Sequence, residues 1–154
     1  MLGEFVPLRA IAYASEAVEG FSFCDTEELI RAAASFNSRA GVTGVLLFDG
    51  VRFLQYIEGP EDGIEAVYSR ILADKQHKKL MELGRGRVPR RHFPFWAMKT
   101  VVSISDEMQM LSRADWSGMR CIEGFGEIPS SGLLLLQGVL APSMPPMSPS
   151  LPCP

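Results

Sequence analysis

The sequence is poor in several features that would each have pointed to a function. It carries three cysteines, Cys24, Cys121 and Cys153, with no C-x-x-C pair, so neither a disulfide framework nor a zinc site is written into it. That usage fits a reducing compartment, and we expect a cytoplasmic protein. Basic charge is not in excess, since 15 Lys and Arg stand against 18 Asp and Glu, which argues against a nucleic-acid partner. Long apolar runs are missing too. The longest uncharged one, 132–142, falls well below the roughly 20 residues of a membrane span, and residues 1–9 lack the basic-then-apolar order of an export signal. Proline is abundant only at one end, with six of 11 in 142–154, so a disordered tail is expected there.

What remains is a chain of 154 residues, 47% apolar, enough for one domain with a real core. Residues 8–15 form a short apolar strand, followed by a turn-like stretch over 16–22. Asp25 and Glu28 have capping-box spacing ahead of a helix over 26–39, whose stripe is Leu29, Ile30, Ala33, Phe36 and Ala40, and Gly41 ends it. Two β-rich runs, 42–48 and 51–58, flank Asp49-Gly50, a pair that favours a type I′ hairpin. Pro60 is expected at the first position of a second helix that reaches Gln76, with Ile64, Val67, Tyr68, Ile71 and Leu72 on one stripe. Weaker strands over 79–88 and 95–103 flank a basic loop, 85–92, a candidate docking surface for an acidic partner. Beyond them lie a short helix over 106–113, a loop over 118–126 and a helix over 131–140.

The order β-α-β-β-α-β-β predicts an α+β, ferredoxin-like fold: a five-stranded mixed sheet with an added strand and two helices on one face, plus C-terminal helices. We divide the chain into 1–104, a helical extension over 105–141, and the tail 142–154.

One strand position is unusual. Alternation places Val51, Phe53, Gln55 and Ile57 on one face, so a primary amide stands in an apolar stripe. Burying it without partners costs about 1 to 3 kcal/mol. In a ferredoxin-like sheet the first strand lies beside the third, which brings Tyr13 within reach of Gln55, where a phenol could donate to the amide. A core Tyr and a Gln satisfied by neighbouring backbone fit the same residues. Asn37 has a similar ambiguity, between capping its helix and aiming an amide at a ligand. Converging amide and phenol groups suit a heterocycle with both donors and acceptors.

Several segments together resemble the BLUF family of flavin-based blue-light sensors: Tyr13-Ala14-Ser15; Asn37 with 41–48; 53–59; Arg70-Ile71; Asp74 with His77; and Trp96-Ala97-Met98. The resemblance covers about 8–102, and it is the set, not any single motif, that is specific. It implies a bound FAD, with FMN or riboflavin as substitutes. Tyr13, Gln55 and Asn37 would contact the polar edge of the ring, Leu29, Ala33, Leu46, Phe53 and Ile71 its faces, and Arg70, Asp74 and His77 the ribityl and phosphate tail. Tyr13, Gln55, Trp96 and Met98 would carry the photocycle, with Trp96 and Met98 on a shared strand face. Phe36 and Gln76 depart from the family pattern, which commonly has a polar residue and an arginine there.

The resemblance further implies a non-enzymatic bacterial sensor that acts on a separate signalling or regulatory protein and forms a homo-oligomer, with no nucleic-acid or membrane partner. Residues 96–103 and 108–116 are the expected transmitting surface. An acyl-phosphatase-like enzyme on the same fold would need an arginine after the first strand, and 16–22 has none. RNA stacking on the third strand would need Phe53 and Tyr56 on one face, and alternation separates them.

Overall fold

The computed structural model describes residues 7–116, 120–122, 126–128 and 131–143. The elements run β1 (Leu8–Ala17), α1 (Phe23–Ala40), β2 (Thr43–Phe48), β3 (Arg52–Pro60), α2 (Glu61–Ala73), β4 (His77–Val88), β5 (Lys99–Val102), α3 (Ser105–Arg113), β6 (Arg120–Ile122), β7 (Gly126–Ile128) and α4 (Ser131–Leu140). Five strands form one mixed sheet in the order β4-β1-β3-β2-β5, antiparallel except for the parallel pair β2/β5. This is the ferredoxin-like arrangement with an added strand.

Period-two alternation divides the sheet into two buried faces. Ile11, Leu46, Phe48, Phe53 and Ile57 face a core shared with α1 and α2. Ala10, Ala12, Val45, Leu47, Leu54 and Tyr56 face a second core, where α3 and α4 supply Met108, Leu111, Leu133, Leu136 and Leu140. Trp116 closes that second core, 2% exposed, with its indole N–H donating to the Leu111 carbonyl at 2.8 Å. Met108, Leu111 and Trp116, expected on a transmitting surface, are therefore covered by the fold, while Met110 between them is exposed.

Element ends depart from expectation in ways that local chemistry explains. Helix α1 starts three residues early because Asp25 does not cap it. Asp25 sits in the first turn and accepts from the Ser22 N–H at 2.8 Å, so the box is Ser22-x-x-Asp25. Gly41 ends the helix in the left-handed region at φ 76. In the β2–β3 hairpin the Asp49 carboxylate accepts from the Val51 and Arg52 amides, and positive φ falls on Gly50 alone. The type I′ turn, which needs two such residues, does not form, and Val51 belongs to the exposed turn instead of the strand face. Pro60 is the N-cap of α2 instead of its first residue, and the helix ends at Ala73, short of Gln76.

Further along, β4 absorbs Arg85 and Arg87 from the expected basic loop. Arg85 pairs with Glu82, and Arg91 donates to the carbonyls of Gly41 and Glu58. The expected strand over 95–103 shrinks to Lys99–Val102. Pro94 lies in a turn there, and the segment before Lys99 is held by separate hydrogen bonds in place of a ladder. Part of the expected loop over 118–126 is the hairpin β6/β7. Pro142 and Ser143 complete a 3-10 turn, Ala141–Ser143, and the rest of the expected disordered tail, 144–154, lies outside the described residues. Among the described residues no helix is long and apolar enough to cross a membrane.

The two helices on the first face meet where α1 ends and α2 begins. A Cβ on Gly63 would lie 2.1 Å from the Ala40 carbonyl oxygen, so only glycine permits the approach. A Gly63→Ala variant should lose about 1 to 3 kcal/mol of unfolding free energy through this backbone overlap. Urea denaturation at neutral pH measures it.

Candidate functional site

Away from the Ala40–Gly63 contact, α1 and α2 leave a cavity of about 650 Å³ beneath them, within the range of small-molecule sites. Tyr13 from β1 and Gln55 from β3 form part of its wall, and the two are direct partners in the antiparallel register. The Tyr13 hydroxyl donates to Gln55 Oε1. Gln55 Nε2 donates to Met98 Sδ at 3.4 Å, a weak thioether acceptor. Both polar side chains are nearly buried, at 3% and 5% exposure, so their hydrogen bonds are made within the protein interior.

Asn37 is also buried and lines the cavity near the end of α1. Its Nδ2 donates to the Ala97 carbonyl at 3.0 Å, which ties α1 to the segment that carries Met98. His77 has both ring nitrogens engaged. Nε2 lies 2.8 Å from the Ile71 carbonyl, which can only accept, so Nε2 carries a proton. In the neutral ring Nδ1 then accepts from the Ser15 hydroxyl, also at 2.8 Å. At the end of α2, the Asp74 carboxylate accepts from the Gln76 amide. The Arg70 guanidinium stacks over Phe36 at 4.9 Å.

Every residue expected at a ligand lies on this wall, including the apolar Leu29, Ala33, Leu46, Phe53 and Ile71 and the tail candidates Arg70, Asp74 and His77. Asp25 and Glu28 also line it, and sequence reasoning had used them only as helix-start signals. Trp96 and Met98 do not share a face. Met98 packs in the core beside Gln55, whereas Trp96 packs against the opposite core, stacked on Phe93 at 6.3 Å. Strand alternation does not apply to them, because β5 begins only at Lys99.

The segment that leads into them is held at its start by Glu58. This fully buried carboxylate accepts the amides of His92 and Phe93, each at 2.6 Å, and the Tyr56 hydroxyl at 2.9 Å. The sequence gives no sign of that role beyond an acid at the end of an apolar strand.

Burial pushes the Tyr13 phenol well above its ordinary ionisation range, and the nearby Asp74 and Tyr68 add to the shift. Tyr68, whose ring centroid lies 6.2 Å from that of Tyr13, is raised too, first by burial and then by Glu82, to which it donates at 3.2 Å. Both phenols are neutral at physiological pH.

The fold and site define a class of α+β protein with a small-molecule cavity between two helices and a ferredoxin-like sheet, its wall combining apolar side chains with a buried phenol-amide pair. Residues 8–99 match the model of the BLUF family, described as sensors of blue light using FAD, and the chain belongs to that family. It is 34% identical over 86 residues to the blue light- and temperature-regulated antirepressor BluF of Escherichia coli, covering 56% of this chain and 21% of that protein. It is 30% identical over 101 residues to the photoactivated adenylate cyclase subunit beta of Euglena longa, covering 66% of this chain and 12% of that one. The chain thus spans only 21% and 12% of these two relatives' lengths. Among solved structures, the dark state of BlrB, a BLUF protein, superposes with a TM-score of 0.70 at 27% identity, covering 92% of this chain and 100% of that one.

Because the Tyr13 pKa is raised in the fold, the neutral phenol stabilises the native state below about pH 10, where an exposed tyrosine ionises. Above that pH the unfolded chain releases the proton first, and stability falls as pH rises. Tyr13→Phe should flatten this part of the decline by up to about 1.4 kcal/mol per pH unit. Denaturant midpoints between pH 9 and 11 for the two proteins measure it.

Proposed function

We propose that this chain is a blue-light sensor that holds a flavin in the cavity between α1 and α2 and converts excitation into a rearranged Tyr13–Gln55–Met98 hydrogen-bond chain. The observation that carries this reading is the buried donor-acceptor series itself: phenol to amide oxygen, amide nitrogen to thioether, on the wall of a cavity of about 650 Å³. Apolar Leu46, Phe53 and Ile71 suit the faces of the ring, and the Gln55 and Asn37 amides its polar edge. A bound flavin supplies blue-light absorption and, when excited, a strong one-electron oxidant.

The protein's own residues do the rest. Tyr13 would give an electron to that oxidant and then pass its proton along its hydrogen bond to Gln55 Oε1. Loss of that phenolic donor removes what orients the amide, and Gln55 rearranges between two hydrogen-bond networks of similar energy. Met98 is the first group outside the cavity to feel the change, because it accepts from Gln55 Nε2. The ring contacts admit FAD, FMN or riboflavin. We propose FAD as the resident form, with Arg70 as the cation on the wall for its phosphates. His77 shapes the wall instead of donating to the tail, since both its nitrogens have protein partners.

In this reading the chain has no catalytic activity of its own and passes its state to a separate regulatory protein. Helices cover both faces of the sheet, which leaves no aromatic platform for RNA. An acyl-phosphatase reading has no arginine in the stretch after β1.

The purified chain reconstituted with FAD should be yellow and shift its absorption to the red under blue light, reverting in darkness. Tyr13→Phe should keep the flavin and lose the shift. A wild-type chain that binds flavin without any red shift, or a Tyr13→Phe chain that shifts normally, contradicts the proposal.

A further inference from the structure

The proposed photochemistry uses one tyrosine, but the structure places a second beside it. The Tyr68 ring centroid is 6.2 Å from that of Tyr13, the planes inclined at 55°, close enough for electron exchange between the two rings. Tyr68 packs from α2 against the core beneath that helix and is only half-buried there, so solvent reaches it where it does not reach Tyr13. Its hydroxyl donates to Glu82 Oε1 at 3.2 Å, a carboxylate within proton-transfer reach. Arg85 holds that carboxylate through both its oxygens, at 2.9 and 2.6 Å, and lies over the Tyr68 ring at 5.4 Å. The third tyrosine, Tyr56, faces the opposite core and donates to Glu58.

We infer that Tyr68 is a second electron donor that competes with the switch. The inference rests on the flavin reading above, with the light-excited flavin as the oxidant of Tyr13. After Tyr13 has lost an electron and before its proton leaves, Tyr68 refills it. One electron crosses from the Tyr68 ring to Tyr13, the Tyr68 O–H bond breaks, and an O–H bond forms on Glu82. Tyr13 returns to a neutral phenol with its bond to Gln55 unchanged. The oxidised group is now a neutral phenoxyl radical on Tyr68, where ascorbate or a thiol in solution can reduce it by one electron while Glu82 returns the proton. The electron drawn from the protein stays in the cavity, so light and an external reductant together reduce the flavin without throwing the switch.

The test compares the FAD-loaded wild type with Tyr68→Phe and Glu82→Gln under continuous blue light with ascorbate. Bleaching of the flavin band should be several-fold slower in both variants, and the yield of the red-shifted state without ascorbate should be higher in Tyr68→Phe. Wild-type bleaching should slow in deuterated water, which a merely structural role for Glu82 would not cause. Equal bleaching rates in wild type and Tyr68→Phe overturn the inference while leaving the sensor reading intact if the red shift is present. A wild type with no red shift overturns both.

Discussion

The side-chain amide of Gln55 can take part in four hydrogen bonds, and it stands on the central strand of the sheet, where water does not reach it. Its partners must therefore come from other elements, and this requirement organises the region. Strand β1 has to lie beside β3 in a register that sets Tyr13 opposite Gln55. The chain beyond β4 has to cross back under α1 so that Met98 reaches the amide nitrogen. Nothing in the sheet ladder alone demands that crossing. The backbone of residues 92–98 is fixed point by point instead, by the Glu58 carboxylate at 92 and 93, the Gly44 amide at 96 and the Asn37 amide at 97.

That crossing segment joins two cores that the sheet otherwise keeps apart. Met98 belongs to the core under α1 and α2, and Trp96, two residues earlier, to the core under α3 and α4. Trp96 stacks on Phe93, which packs edge-on against Tyr56, and Tyr56 lies 6.5 Å from Trp116. Under the proposed function, an amide that rearranges on one face would pull on a short segment whose other end is embedded in the opposite core. Close-packed side chains of this kind transmit small shifts by repacking between discrete arrangements, since they leave no free volume to absorb them.

The β-α-β-β-α-β order and the Tyr13–Gln55 pairing were legible in the sequence because they follow from periodicity and from one misfit residue in an apolar stripe. The course of 93–98 was not. Phe95 to Ser103 has the composition of a strand, and only tertiary partners far away in sequence, Glu58 at one end and Asn37 and Gln55 at the other, decide that the first half is irregular. The error on Trp96 and Met98 follows directly, because alternation assigns faces correctly only inside a ladder. The role of Glu58 was hidden for a related reason. A lone acid after an apolar strand reads as solvent-exposed, and its burial makes sense only when the amides it accepts from are in place.

Coverage of the sheet on both sides constrains how a change at Gln55 can leave the molecule. With α1 and α2 over one face and α3 and α4 over the other, no residue at the centre of β1 or β3 is itself on the surface. Any partner that reads the state of the amide must read it through a helix or through the edge near β5. On the second face the first layer is Tyr56, Phe93 and Trp116, and above it α3 and α4 carry the exposed Met110 and Leu134. Under the proposed function, a shift of Trp96 would meet those helices through aromatic contacts already in place.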